Sequence, residues 1–225
     1  MEEKTLNIID QLWEAAVERL PAITADEQEA GMALLAELSR GEPVEAARLA
    51  QALAVEETEA EQYLRDSGLS RLVHFDEQGS ALGFFGLSTV PTDHRFTVDG
   101  RELWTWCAAD TLFLPELLDA TASVESKDPV TGRTIHLTVS PTSVESAEPT
   151  GVLVSMNSPE AWETTSALKL IVTACHYIHF FASPESGGEW TEGHPNTVLL
   201  PLDRAFAYGK RQNRRMFGTA LTDPE

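Results

Sequence analysis

Cysteine is scarce in this chain. Only Cys107 and Cys175 occur among 225 residues; that excludes a disulfide scaffold and, in a reducing compartment, leaves two thiols that act as thiols or metal ligands if they act at all. Basic residues are few as well. Sixteen Lys and Arg stand against 36 Asp and Glu, a formal net charge of −20, which repels phosphate backbones and anionic lipids and disfavours nucleic acid and membranes as partners. No apolar run approaches the roughly 18 residues that span a bilayer. The opening Met1-Glu-Glu-Lys4 has neither the basic nor the apolar region of a secretory signal, so a cytoplasmic location is expected. Also absent are a G-x-G-x-x-G or Walker lysine motif, the compact Cys-x-x-Cys pairs of structural zinc, and a Gly-flanked nucleophile elbow. Dinucleotide, nucleoside triphosphate and hydrolase chemistry therefore have no sequence support.

What is present suffices for a real core: 42% of residues are hydrophobic and the mean hydropathy is −0.18, the composition of a globular protein. The length fits one domain, or a small module joined to a larger core. Residues 1–66 carry 16 acids and five bases, a net of −11. There Leu6, Ile9, Leu12, Trp13 and Val17 fall at helical spacing, and Met32, Leu34, Leu35 and Leu38 repeat it after Pro21. Gly41-Glu-Pro-Val44 and the stretch through Tyr63 and Leu64 have the rhythm of a helix-turn-helix. Leu72-Val-His-Phe75, the turn Asp76–Gly79 and the run Ala81–Leu87 predict a wing-like hairpin. The second helix of that pair reads Glu56-Glu-Thr-Glu-Ala-Glu61, with carboxylates where phosphate contacts need Lys or Arg. A packing or dimerisation module is the better expectation.

From about Leu87 the pattern changes to short β-rich runs: Phe96-Thr-Val98 before Asp99-Gly100, Ile135 to Val139, and Val152 to Met156. The fold class expected is α+β: an N-terminal helical, winged-helix-like module over residues 1–86, followed over 87–225 by a mixed or antiparallel β-sheet core with helices. Ser158-Pro159-Glu160 reads as a helix opening. Ile171 to Phe181 reads as helix running into strand near Cys175. Ser183 to Asn196, polar and rich in Gly and Pro, reads as a surface loop. Arg204, Lys210, Arg211, Arg214 and Arg215 make the end of the chain basic.

The chemistry centres on the two cysteine segments. In Leu103-Trp-Thr-Trp-Cys107-Ala-Ala-Asp110 the acid lies one helical turn beyond the thiol, so the two side chains share a face if Cys107 opens a helix. Taken alone, the same residues describe a packed cysteine with a capping acid. Cys175-His176-Tyr-Ile-His179 sets a thiol and two imidazoles within five residues, and taken alone it describes a core strand better than a site. Together, two thiols and a carboxylate favour a soft metal with a proton carrier beside it. A zinc site drawn from Cys107, Cys175, Asp110 and His176 or His179 competes with that reading.

Trp106-Cys-Ala-x-Asp-Thr-Leu112, Leu137-Thr-Val-Ser-Pro141, Glu148-Pro-x-Gly151 and Cys175 followed by His179-Phe-Phe-Ala-Ser183 together resemble the alkylmercury (organomercurial) lyase family. The resemblance runs from Gly41-x-Pro-Val44 to Ala205-Phe206 and Asn213-Arg214. It implies cleavage of a carbon–mercury bond to a hydrocarbon and Hg(II), with no organic cofactor. It places the essential thiols on Cys107 and Cys175 and the essential acid on Asp110, the three that would hold mercury as substrate and product. It also implies low-molecular-weight thiols, or a mercuric reductase, as acceptors of Hg(II). Two departures stand out: His176 replaces a further cysteine after the second essential one, and Asp128 falls about where a structural cysteine of the 123–132 segment is missing. Trp104, Trp106 and Phe181 are candidates to shape an apolar pocket. A non-catalytic Hg(II) or Cu(I) thiol-binding protein is the alternative, with a metal-responsive regulator behind it; Asp110 separates the first two, since storage needs no proton carrier.

Overall fold

The computed structural model describes residues 2–221, and in its first helix side chains from Ile9 onward. The readings placed on Met1 and on the Leu6 side chain lie outside them. Four helices come first: α1 (Glu2–Val17), α2 (Ala25–Leu38), α3 (Ala46–Leu53) and α4 (Glu57–Arg65). Pro21 falls between the first two, and Thr24 starts α2 with a reciprocal cap in which its hydroxyl accepts from the Glu27 amide while the Glu27 carboxylate accepts from the Thr24 amide. The other oxygen of Glu27 accepts from the Gly68 amide at 2.8 Å, so the cap of α2 also holds the chain leaving α4. Leu34, Leu35 and Leu38 of α2 are fully buried, as the helical spacing requires.

The expected hairpin forms from β1 (Val73–Phe75) and β2 (Ala81–Phe84). It does not stand apart as a wing, because β2 pairs onward with β3 (Leu87–Ser88) and becomes part of an eight-stranded antiparallel sheet. The run Ala81–Leu87 is thus not one strand: Phe85 and Gly86, both at positive φ (47° and 95°), fold it into a two-residue turn. The sheet continues through β4 (His94–Val98), β5 (Arg101–Thr105), β6 (Ala122–Lys127), β7 (Thr134–Val139) and β8 (Val144–Glu148), in the order β1-β2-β3-β5-β4-β6-β7-β8. Asp99-Gly100 makes the β4–β5 turn that the sequence signals, again with both residues at positive φ. Between β5 and β6 lies α5 (Asp110–Leu118).

A second, three-stranded antiparallel sheet has β9 (Leu153–Asn157) at its centre, flanked by β10 (Phe180–Phe181) and β11 (Thr197–Pro201). Helix α6 (Ala167–Thr173) and a single 3-10 turn at Cys175–Tyr177 lead into β10, α7 (Pro184–Gly193) follows it, and α8 (Leu202–Phe217) closes the fold. Helix α8 is locked onto α5: the Asn213 side-chain amide donates to the Phe113 carbonyl at 2.9 Å, and Lys210 pairs with Glu116 at 2.6 Å.

Two local expectations are corrected. Ser158-Pro159-Glu160 opens no helix, only a 3-10 turn over Pro159–Ala161, in which the Ser158 hydroxyl donates to the Glu160 carboxylate and caps no amide. Ser183–Asn196 is not a loop but mostly α7. There Ser183 accepts from the Ser186 amide as N-cap, with Pro184 at the first helical position. Buried Asp128 fastens that helix and the end of β10 to the loop after β6, accepting from the Ala182 amide at 2.8 Å and the Ser186 hydroxyl at 2.6 Å.

Candidate active site

Cys107 sits in the tight turn that joins β5 to α5. The Trp106 amide donates to the Gly86 carbonyl at 2.8 Å, the Thr105 hydroxyl donates to the Cys107 carbonyl at 2.8 Å, and the Cys107 amide donates to Asp110 Oδ2 at 2.8 Å. Asp110 is the first residue of α5, where a carboxylate is favoured by the helix dipole. It folds back over the turn that carries the thiol. Its position is enforced from behind, since a Cβ added to Gly86 would lie 2.5 Å from the Asp110 carboxyl carbon. Phe85, the bulky residue in the left-handed region beside it, holds its ring 5.3 Å from that of Phe113 and 5.1 Å from that of Phe217. Strained backbone of this kind persists where packing over-determines it.

Cys175 opens the 3-10 turn after α6. The main chain around it is fixed by β9: Ser155 Oγ donates to the Tyr177 carbonyl at 2.8 Å and accepts from the His179 amide at 2.9 Å, and Asn157 Nδ2 donates to the Thr173 carbonyl at 2.9 Å. The Ala108 amide reaches the Ile178 carbonyl at 3.2 Å, joining the two cysteine segments directly. The result is a buried group in which ligand atoms of Cys107, Asp110 and Cys175 all lie within 4.8 Å of one another.

Burial sets the protonation of this group. It pushes Cys107 well above the ordinary thiol range, helped by its hydrogen bond with Cys175 and the charge of Asp110. For Cys175 the hydrogen bond from Cys107 acts to lower the pKa, but burial and the Asp110 charge together leave it raised. Burial lifts Asp110 to about 7, against the hydrogen bonds of the Cys107 thiol and amide, which lower it. Both thiols thus rest protonated, and the carboxyl is poised to take or give a proton at neutral pH.

The group lines a cavity of about 70 Å³ that opens to solvent, walled by Phe85, Trp106, Phe113, Met156, Trp162 and Tyr208. Of the aromatic residues expected there only Trp106 lines it; Trp104 and Phe181 do not. His176 and His179 stay outside the thiol–carboxyl group, with His179 Nε2 donating to the His176 carbonyl at 2.9 Å, so the zinc set that included an imidazole is not assembled. The walls that the sequence reading missed had faint signals. Phe85 precedes a turn glycine, and Ala205, Tyr208 and Gln212 recur at helical spacing along α8.

Two thiols and one carboxyl converge beside an apolar cavity, a donor set suited to soft metals. The comparisons with known proteins name the family. A model of the alkylmercury lyases matches residues 87–213, and the chain belongs to that family. Among its relatives are alkylmercury lyases of Staphylococcus epidermidis, 36% identical over 182 residues and covering 81% of this chain and 80% of that protein, and of Streptomyces lividans, 37% identical over 177 residues and covering 79% and 78%. That of Pseudomonas putida is 43% identical over 135 residues, 60% of this chain and 61% of its own. A crystal structure of the mercury-bound form of MerB2 shares the fold, with a TM-score of 0.73 over 92% of this chain and 99% of that one at 20% identity. No helix among the described residues is long and apolar enough to cross a membrane.

Proposed function

We propose that this protein cleaves the carbon–mercury bond of organomercurials by protonolysis, with Cys107 and Cys175 as the sulfur ligands and Asp110 as the proton carrier. The observation that carries this reading is the convergence of the three groups within 4.8 Å under an apolar cavity, in a chain of the alkylmercury lyase family. The substrate R–Hg–X enters with R in the cavity. One thiol displaces X and forms an Hg–S bond, and its proton leaves with X. The second thiol then bonds to mercury and gives its proton to Asp110. Two thiolates push electron density onto the metal and make the attached carbon basic. Asp110 returns its proton to that carbon, the electron pair of the C–Hg bond becomes the new C–H bond, and Hg(II) remains between the two sulfurs.

Mercury stays Hg(II) throughout, so the reaction as written draws on no organic cofactor and no reductant. A carboxyl of pKa about 7 suits both halves of the proton transfer, because it is neither too strong to accept nor too weak to donate at neutral pH. Low-molecular-weight thiols of a reducing cytoplasm, or a mercuric reductase, then remove the metal. The test is incubation with phenylmercury and excess thiol, with benzene measured in the headspace. Benzene with stoichiometric Hg(II) supports the lyase; mercury bound per chain with no benzene would make the protein a soft-metal binder instead.

A further inference from the structure

Cys175 borders two cavities. One is the apolar cavity already described, which it shares with Cys107 and Asp110. The other is an open groove on its far side, lined by Thr92, Asp93, His94, His176, His179 and the exposed edge of α6 at Ile171 and Val172. Trp106 forms part of both linings and separates them; Cys107 and Asp110 belong only to the first. Resting on the reading that Hg(II) is left between Cys107 and Cys175, the problem that follows cleavage is how a strongly held soft cation leaves a buried dithiolate.

We infer that this groove is the docking site of the thiol that removes Hg(II), and that it favours a small thiol carrying an ammonium group. Only another soft ligand competes with thiolate for mercury, and of the three site residues only Cys175 lines this groove. Asp93 is exposed at the rim and makes no hydrogen bond or ion pair among the described residues, so its carboxylate is available to an incoming cation. His94 is buried with its Nδ1 spent on the Ser126 hydroxyl at 2.7 Å, and His179 spends Nε2 on the His176 carbonyl. The imidazoles wall the groove, and beside them the one carboxylate or basic side chain in its lining is Asp93. The exchange balances. The incoming thiol forms an Hg–S bond as the Hg–Sγ bond of Cys175 breaks, and its proton passes to Cys175. A second thiol repeats the exchange at Cys107, leaving Hg(II) as a dithiolate of the external thiol and the protein with both thiols restored.

The test loads the full-length protein with one equivalent of phenylmercury, reads benzene in the first turnover, and then follows mercury retained on the chain against added cysteamine, 2-mercaptoethanol or mercaptoacetate. Val172→Trp narrows the groove from an exposed position of α6, where the parent side chain is 59% exposed. It is expected to leave first-turnover benzene unchanged and to slow mercury release severalfold. Asp93→Asn is expected to erase the preference for cysteamine, a change of about two- to fivefold for a partly exposed ion pair, whereas Glu145→Gln, which makes the same change in net charge on β8, leaves it intact. Loading with Hg(II) chloride directly reads release even if no benzene forms, so failure of the lyase reading and failure of the groove are separable. Release at the same rate in Val172→Trp, loss of benzene with release unchanged, or an equal response of Asp93→Asn and Glu145→Gln would each overturn the assignment.

Discussion

The two cysteine segments solve the same problem in different ways. Cys107 lies between a strand and a helix that belong to the main sheet and its covering layer, with its own amide and carbonyl both bonded to side chains, Asp110 and Thr105. Cys175 lies on a single 3-10 turn behind a seven-residue helix whose Leu168 and Val172 face solvent, and its neighbours are held at the backbone by Ser155 and Asn157 of β9. The first thiol is built as one unit with the acid; the second is brought to that unit from another sheet. Asp110 and Cys107 thus have a geometry fixed within one turn, while Cys175, buried beside them, is held from the second sheet.

The sharpest break removes either sulfur. Cys107→Ser and Cys175→Ser are each expected to abolish benzene release, because an alcohol is a hard, poorly ionised ligand and a single thiolate leaves the carbon too weakly basic to protonate. Each variant keeps one thiol and should still retain phenylmercury, measured as mercury per chain after desalting. Near-normal turnover by either would remove that cysteine from the chemistry.

Next in size is the acid that belongs to only one of the two segments. Asn at position 110 keeps an acceptor for the Cys107 amide but cannot take up and give back a proton at neutral pH, so Asp110→Asn is expected to capture phenylmercury and to lose about 10²- to 10⁴-fold in benzene release. The same carboxyl leaves a thermodynamic mark. Its pKa is raised in the fold from 3.8 to about 7, so the protonated form is the one the fold stabilises. That contribution is complete below the unfolded value and is lost as pH rises through about 7. The melting temperature of the parent should therefore fall between pH 4 and 8 relative to that of Asp110→Asn, as followed by circular dichroism; parallel curves would place the carboxyl in water.

A third break strikes the support of the Cys107 segment and spares the Cys175 segment. Gly86→Ala sets a methyl 2.5 Å from the Asp110 carboxyl carbon and at a φ of 95°, which costs about 1–3 kcal/mol by backbone strain alone. Activity should fall more than stability explains, with two thiols still titrating in the folded protein. A variant of parental rate and melting point would mean that Asp110 does not depend on this wall.

How much of this the sequence discloses depends on whether the deciding contact is local. Asp99-Gly100 makes its turn within four residues, and the helical stripes of α2 fix α2; both were legible. Ser158-Pro-Glu and Ser183-Pro-Glu carry the same helix-opening signature, yet only the second opens a helix. The difference lies in Asp128, 58 residues away from Ser186, which fixes the first turn of α7 by accepting from the Ser186 hydroxyl. The pairing of Cys107 with Asp110 follows from spacing. The approach of Cys175 does not, because it needs the second sheet and the Ala108–Ile178 hydrogen bond; only the likeness of both motifs to one family pointed there. The left-handed Phe85 that walls the cavity left no readable sign beyond the glycine after it.

The smallest effect is expected at His176, the imidazole beside the second thiol. His176 stands directly after Cys175 but outside the thiol–carboxyl group, exposed, with its ring against Tyr177 at 5.3 Å. What holds the segment is its carbonyl, which accepts from His179, and a side-chain change leaves that bond in place. His176→Ala should therefore retain most of the first-turnover benzene and the parental melting point, a surface change within about 0.5 kcal/mol. Complete loss of cleavage with the fold intact by circular dichroism would make the imidazole a mercury ligand or a proton relay, and the solvent-facing side of Cys175 would then belong to the chemical step itself.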